Sequence, residues 1–171
     1  MTKKPSKDTT FKHWKLSTDI DNVLWLSIDR EGENTNSLSM EVLSELGTIV
    51  DKLEADAPAG LVLQSGKPGS FIVGADVREF DDYDDAEVAS DGINQVHRLF
   101  NRIEALPFTK VAVIDGFCLG GGLELGGGEV RELLVLPAPV GAAVELHGAV
   151  REGWRAHGLK HLRRGRVCRW H

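Results

Sequence analysis

Val111–Leu125, reading VAVIDGFCLGGGLEL, constrains this chain more than any other stretch. Its opening, Val111 to Ile114, is a short apolar run of the kind that forms a buried strand. Asp115-Gly116 then signals a turn. Gly120, Gly121 and Gly122 follow, with Glu124 two residues further on. Glycines allow a backbone to approach a ligand with no side chain in the way. A helix starting near Gly122 would aim its free N–H groups and the positive end of its dipole at whatever lies over the glycines. Glu124 then falls in the first turn, beside the same point. Two readings stand side by side: an oxyanion stabiliser with a neighbouring acid/base, or a glycine-rich turn that packs a helix and leaves a solvated glutamate.

The rest of the first 125 residues reads as alternating strands and helices. Val23–Asp29 (VLWLSID) is expected to be a strand, and Glu31–Ser37 a polar loop. Ser39 is placed to cap a helix that runs to about Ala55, with Glu41 in its first turn. Val42, Leu43, Leu46, Ile49, Val50 and Leu53 carry the helical spacing of a buried face, and Pro58 and Gly60 end the segment. Leu61–Leu63 is a second apolar strand. A loop over 65–70 leads into FIVGADVREF at 71–80, and the acidic run 81–85 reads as a solvated helix entrance. The next helix runs to about Ala105, with Val88, Ile93, Val96, Leu99, Phe100 and Ile103 on one face and His97 beside it as a structural residue. Pro107 ends it before the strand at 110–114. Strand, helix, strand, helix, strand, helix is the order of an α/β domain. Residues 1–12 are expected to be disordered.

Composition matters most at the other end. Residues 1–125 carry 12 Lys/Arg and 22 Asp/Glu, whereas 126–171 carry 8 and 4, so a net −10 is followed by +4. Segment 126–171 has no Ser, Thr, Asn, Asp, Gln, Ile, Phe, Tyr or Met. A basic arm for nucleic acid ordinarily keeps such residues for solvation and phosphate contacts. The segment instead resembles a GC-rich gene read in the wrong frame, and this composition disfavours the nucleic-acid alternative. Trp154 and Trp170 offer stacking surfaces with no recognisable module around them. No apolar run is long enough to span a bilayer, and MTKKPSKDTT lacks the apolar core of a secretory signal. Cys118 and Cys168 sit in unlike surroundings, so neither a disulfide framework nor a metal site is expected, and a reducing cytoplasm is.

Two glycine turns each follow a strand: Gly74-Ala75-Asp76 and Gly120-Gly121-Gly122. Converging N–H groups from two such turns are what an oxyanion hole requires, and Glu124 adjoins one of them. Phosphate loops fail: Gly66-Lys67 is followed by Pro68, and position 125 is Leu where a dinucleotide turn needs glycine. No H-E-x-x-H or G-x-S-x-G occurs, and Cys118 has no evident base beside it.

Taken together, FIVGADVREF and VAVIDGFCLGGGLEL resemble the two signature segments of the enoyl-CoA hydratase/isomerase (crotonase) superfamily. NVLWLSIDREGENTNSLSMEVLSEL, GLVLQSGKPGSFIVGADVREF and IEALP resemble more narrowly the hydratase region at the N-terminus of the large chain of the bacterial fatty-acid oxidation complex. The resemblance spans about residues 12–125. It implies a superhelix of strand-strand-helix turns, of which residues 13–125 supply the N-terminal half. It implies an enoyl-CoA hydratase of fatty-acid β-oxidation, a lyase that adds water to a 2-trans-enoyl-CoA. The N–H groups of Ala75 and Gly121 would form the oxyanion hole, and Glu124 would be the first of two catalytic glutamates. Gly74, Asp76, Arg78, Gly120 and Gly122 would lie near the acyl-CoA, with Arg78 either meeting a CoA phosphate or standing as an ordinary surface charge. No cofactor or metal is implied beyond the coenzyme A of the substrate. The implied partners are the thioester itself and, in full-length relatives, a homo-oligomer or the oxidation complex.

After Leu125 the likeness stops. Gly126–Gly128 disfavour the helix that would carry Glu124, and Glu145 lies near where a second glutamate falls without any motif around it. The chain is expected to be a truncated or frame-shifted form, weakly active or inactive, with 126–171 as an atypical basic tail. A non-catalytic acyl-CoA-binding remnant is one alternative, and nucleic-acid binding through the basic tail is the other.

Overall fold

The computed structural model describes residues 11–79, 86–128, 132–136 and 166–168. Its main sheet is built from apolar runs. β2 (Val23–Ile28), β3 (Gly60–Ser65) and β5 (Thr109–Asp115) each bury at least four consecutive residues. Continuous burial of that kind belongs to strands covered on both faces, and these three are parallel neighbours. β1 (Trp14–Thr18) adds antiparallel to β2 at one edge. β7 (Glu132–Leu136) adds parallel to β5, and β8 (Arg166–Cys168) closes the other edge antiparallel to β7. The order is β1-β2-β3-β5-β7-β8.

Helix α1 spans Met40–Ala55, with Ser39 as its cap: the hydroxyl accepts from the Val42 N–H at 3.3 Å. Its six predicted apolar positions are all buried. Helix α2 spans Ala86–Ala105. Phe100 and Ile103 enter the core, Val96 and Leu99 pack against it, and Ile93 stays exposed. Arg102 ties α2 to α1 through Asp51 at 2.6 Å and Glu54 at 2.7 Å. Lys110 is buried, and its ammonium donates to the Glu104 and Leu106 carbonyls at 2.9 and 2.8 Å. Those carbonyls lie at the end of α2, where a helix leaves acceptors unpaired.

A second, smaller layer is held by the main chain. β4 (Ser70–Ile72) pairs in parallel with β6 (Phe117–Cys118). On the other side, Val73 N donates to Asn36 O, Leu38 N to Gly74 O and Asp76 N to Leu38 O. The chain therefore repeats one unit three times. β2, β3 and β5 each lie in the large sheet. Each leads into a small-layer segment (36–38, β4, β6) and then into a helix (α1, α2, α3). The helix α3 is short: Gly121–Leu123, continuing as one π-helical turn, Glu124–Gly128. This is the strand-strand-helix pattern expected of the fold.

Asn36 joins the two layers. It is fully buried, and its amide donates to Ile28 O, Ser65 Oγ and Phe71 O at 3.1, 2.9 and 3.0 Å. Its Oδ1 accepts from the Arg30 N–H at 2.9 Å. The stretch read as a plain loop thus contains a core polar anchor.

One expectation is corrected at the N-terminus. The disordered arm was expected to run to residue 12, but Phe11 packs against the core under the Lys52 ammonium, 4.9 Å from the ring centroid, and the Lys12 N–H donates to Glu45 at 2.7 Å. Residues 1–10 lie outside the described residues, as do the acidic run 81–85 and most of 126–171, including Glu145, Trp154 and Trp170. Within that last segment, the described strands β7 and β8 join the main sheet.

Candidate functional site

The direction of one peptide group organises the site. The Gly74 carbonyl accepts from Leu38 N at 2.8 Å. A trans peptide points its N–H opposite to its C=O. The Ala75 N–H therefore faces away from Leu38, toward the side on which β6 and α3 lie. Leu38 and Ala75 form a parallel bridge that uses neither main-chain polar group of Ala75. Gly121 is the first residue of α3, where an N–H has no acceptor within the helix. Neither N–H has a backbone partner among the described residues.

The two glycine turns abut. Gly74 has φ +113° and Gly120 φ +50°, conformations that strongly favour glycine. A side-chain carbon added to Gly120 would lie 3.6 Å from the Gly74 Cα. The turns enclose a cleft of about 220 Å³ whose lining includes Ala75, Asp76, Gly121 and Glu124. Leu38, Met40, Leu43, Ile93 and Val96 supply apolar wall. Glu79 and His97 supply two further titratable groups.

Each anticipated residue thus has a definite place. Ala75, Asp76, Gly121 and Glu124 meet at the cleft. Gly74 and Gly120 form the turns behind it. Gly122 is buried, and a side-chain carbon there would lie 2.5 Å from the Ile72 carbonyl oxygen. It seats α3 on β4 and does not line the cleft. Within the glycine run, Gly121 thus lines the cleft while Gly122 packs the helix. Glu124 is exposed, and its N–H donates to Gly120 O at 3.1 Å.

Arg78 lies outside the cleft lining and is already engaged. Its guanidinium donates to both oxygens of Asp76, at 2.9 and 2.8 Å, and to Glu33 at 2.7 Å. Asp76, only 6% exposed, also meets the Arg30 guanidinium at 2.6 Å and the Arg78 N–H at 3.2 Å. Those hydrogen bonds hold the Asp76 carboxyl far below the usual carboxylate range, outweighing burial, which acts the other way. Burial raises the Cys118 thiol, in keeping with a packed side chain.

His97, which the sequence reads as structural rather than catalytic, is exposed and lines the cleft. Glu79 was not singled out; its carboxylate accepts from the Met40 N–H at 2.9 Å, at the start of α1. A signal for His97 does exist in the chain. Gly92, Ile93, Val96 and His97 recur at i, i+1, i+4 and i+5, a second stripe beside the one that Phe100 and Ile103 bury.

The family model described as enoyl-CoA hydratase/isomerase matches residues 24–130. The chain belongs to the enoyl-CoA hydratase/isomerase family. Among curated relatives of this crotonase-family chain, the fatty acid oxidation complex subunit alpha of Aliivibrio fischeri is 40% identical over 121 residues, 70% of this chain. That of Idiomarina loihiensis is 43% identical over 115 residues, 67% of this chain. The chain spans only 17% and 16% of the lengths of these two relatives. Among solved structures, an enoyl-CoA hydratase from Shewanella pealeana superposes with a TM-score of 0.66 at 18% identity, over 75% of this chain and 48% of that one. A Streptomyces coelicolor protein described as a putative enoyl-CoA hydratase gives 0.63 at 18% identity, over 99% and 66%. At such identities the likeness is one of fold, and the fold is the crotonase fold. No helix among the described residues is long and apolar enough to cross a membrane, and no cluster of three or more metal-type ligands occurs among them.

Proposed function

We propose that the cleft binds the thioester of a 2-trans-enoyl-CoA and that the chain is a slow enoyl-CoA hydratase. The observation that carries this reading is the meeting of Ala75, Gly121 and Glu124 on one cleft. The thioester oxygen accepts from the Ala75 and Gly121 N–H groups. Water, relieved of a proton by Glu124, adds its oxygen to C3. The electron pair of the double bond moves onto the thioester oxygen as an enolate, which the two N–H groups stabilise. Glu124 then hands the proton it took from the water to C2, which gives 3-hydroxyacyl-CoA, returns the carboxylate and accounts for all atoms of one water. The coenzyme A of the substrate is the only cofactor this chemistry uses.

The family resemblance calls for two glutamates on the water, and Glu124 is the one that matches. A missing positioned acid or base costs on the order of 10²–10⁴-fold in rate, so turnover is expected to be slow by about that factor. The curated relatives are named as subunits of a fatty acid oxidation complex. That likeness supports a role in fatty-acid β-oxidation as a complex subunit; a homo-oligomer as the other assembly, and the cytoplasm as the location, are our own proposal. The π-helical turn beneath Glu124 favours a second reading, a binder of acyl-CoA without catalysis, because the helix that would fix the carboxylate ends at Leu123.

One assay separates the two. Loss of enoyl absorbance from a short enoyl-CoA is followed with wild type and Glu124→Gln. Slow turnover abolished by the substitution supports the hydratase. Binding with no turnover by either protein supports the binder. Equal turnover by both removes Glu124 from the chemistry.

A further inference from the structure

We infer that Asp76, clasped by Arg30 and Arg78, is a positioning residue that aims the Ala75 N–H into the cleft. The inference rests on the thioester-binding reading above and names what holds its donor in place. Ala75 follows a glycine at φ +113°, where no side chain restricts the backbone. The orientation of the peptide between Gly74 and Ala75 therefore has to be imposed from outside. Two main-chain bonds to Leu38 bracket it, one from Leu38 N to Gly74 O and one from Asp76 N to Leu38 O. Those bonds hold only while segments 30–38 and 74–78 stay in register.

The Asp76 carboxylate fixes that register. It reaches Arg30 across the gap between the segments at 2.6 Å. Arg30 is itself tied to its own loop: its N–H donates to Asn36 Oδ1, and its guanidinium bonds the Ser37 hydroxyl. Arg78 closes the other side, joining Asp76 to Glu33. Two guanidiniums and two carboxylates make the cluster neutral. With Asp76 and Arg30 only 6% and 11% exposed, it is far less screened than a surface pair. Every contact of the cluster lies one to three residues from Ala75 or in the loop it bonds. Both carboxylate oxygens of Asp76 are taken up by the Arg30 and Arg78 guanidiniums, so Asp76 acts through Ala75. The same geometry accounts for Arg78 as part of this clasp.

The test reads the donor directly. A saturated acyl-CoA, which cannot be hydrated, is labelled with ¹³C at the thioester carbonyl, and its carbonyl stretch is compared free and bound by isotope-edited infrared difference. Hydrogen bonds to the oxygen lower the frequency. Wild type is expected to lower it. Asp76→Asn, which keeps shape but removes the charge, and Arg30→Lys, which keeps charge but removes the fork, are each expected to lose more than half of that shift while the dissociation constant rises less than about tenfold. Arg102→Ala removes an ion pair of similar type between α1 and α2 and is expected to keep the full shift. Arg30→Lys carries the test if Asp76→Asn fails to fold. A wild-type shift retained in full by the clasp variants overturns this inference alone. No shift in wild type overturns it together with the thioester-binding reading.

Discussion

At Gly122 there is no room for a side chain: an added carbon would lie 2.5 and 2.6 Å from the carbonyl oxygen and Cβ of Ile72. Gly122→Ala is therefore expected to destabilise the fold by about 1–3 kcal/mol through overpacking, read as a lower urea midpoint. Gly47, inside α1, has nothing within 4 Å of the same hypothetical atom. Gly47→Ala is expected to raise the midpoint, worth up to about 1 kcal/mol from helix propensity. Opposite signs from one substitution type separate the glycine that packs from the glycine that is incidental; equal signs would refute the packing role. The sequence, through its resemblance, could point Gly121 at the site, but it could not seat Gly122 on Ile72, because Ile72 lies on another strand. Asn36 was equally opaque. Its side-chain partners lie 6, 8, 29 and 35 residues away, so its immediate neighbours in the sequence do not distinguish it from any loop asparagine.

Among the elements, legibility follows locality. α1 was readable because its cap, its first-turn acid and its apolar stripe all lie within seventeen residues of one another. β1 was not, since only Trp14 of its five residues is buried and no alternation survives. β4 and β6 have three and two residues and exist because neighbouring loops come close. The change of composition after Leu125 suggests a segment foreign to the fold; of that segment, β7 runs parallel to β5 over five paired residues, Val111–Asp115 with Glu132–Leu136. Hydrogen exchange is expected to protect the amides of β7 that bond to β5, though less than those of β3 and β5 at the centre of the sheet. Free exchange over 132–136 alongside a protected β5 would remove β7 from the sheet.

On the scale of the whole molecule, acid acts through the carboxylates. Asp29, Glu33, Glu41, Glu54 and Asp76 are all held below their ordinary range, chiefly by hydrogen bonds from Lys15, Arg78, His13, Arg102 and Arg78 respectively. For each, the unfolded chain takes up protons at a higher pH than the folded one. Their stabilisation is thus complete well above the ordinary carboxylate range of roughly 4 and is lost as the pH falls through and below it. Exposed pairs such as Glu54–Arg102 contribute little, so Asp76 should dominate. The thermal midpoint is expected to fall steeply below about pH 4, and less steeply in Asp76→Asn. A midpoint flat from pH 5 to 2.5, or one equally steep in the variant, would contradict this.

The strand order of the large sheet has a consequence for how the protein is made. Read across the sheet, β1, β2, β3, β5, β7 and β8 appear in the order in which they are synthesised. Among the described strands, no later one has to insert between two that are already paired. Each new unit adds at the free edge left by the one before, and a chain emerging N-terminus first can dock its units as they appear. The glycine turns obey the same schedule. Gly74-Ala75 can be set against Leu38 while Gly120-Gly121 is still unmade, so the last glycine turn to be translated completes a cleft whose other wall is already standing.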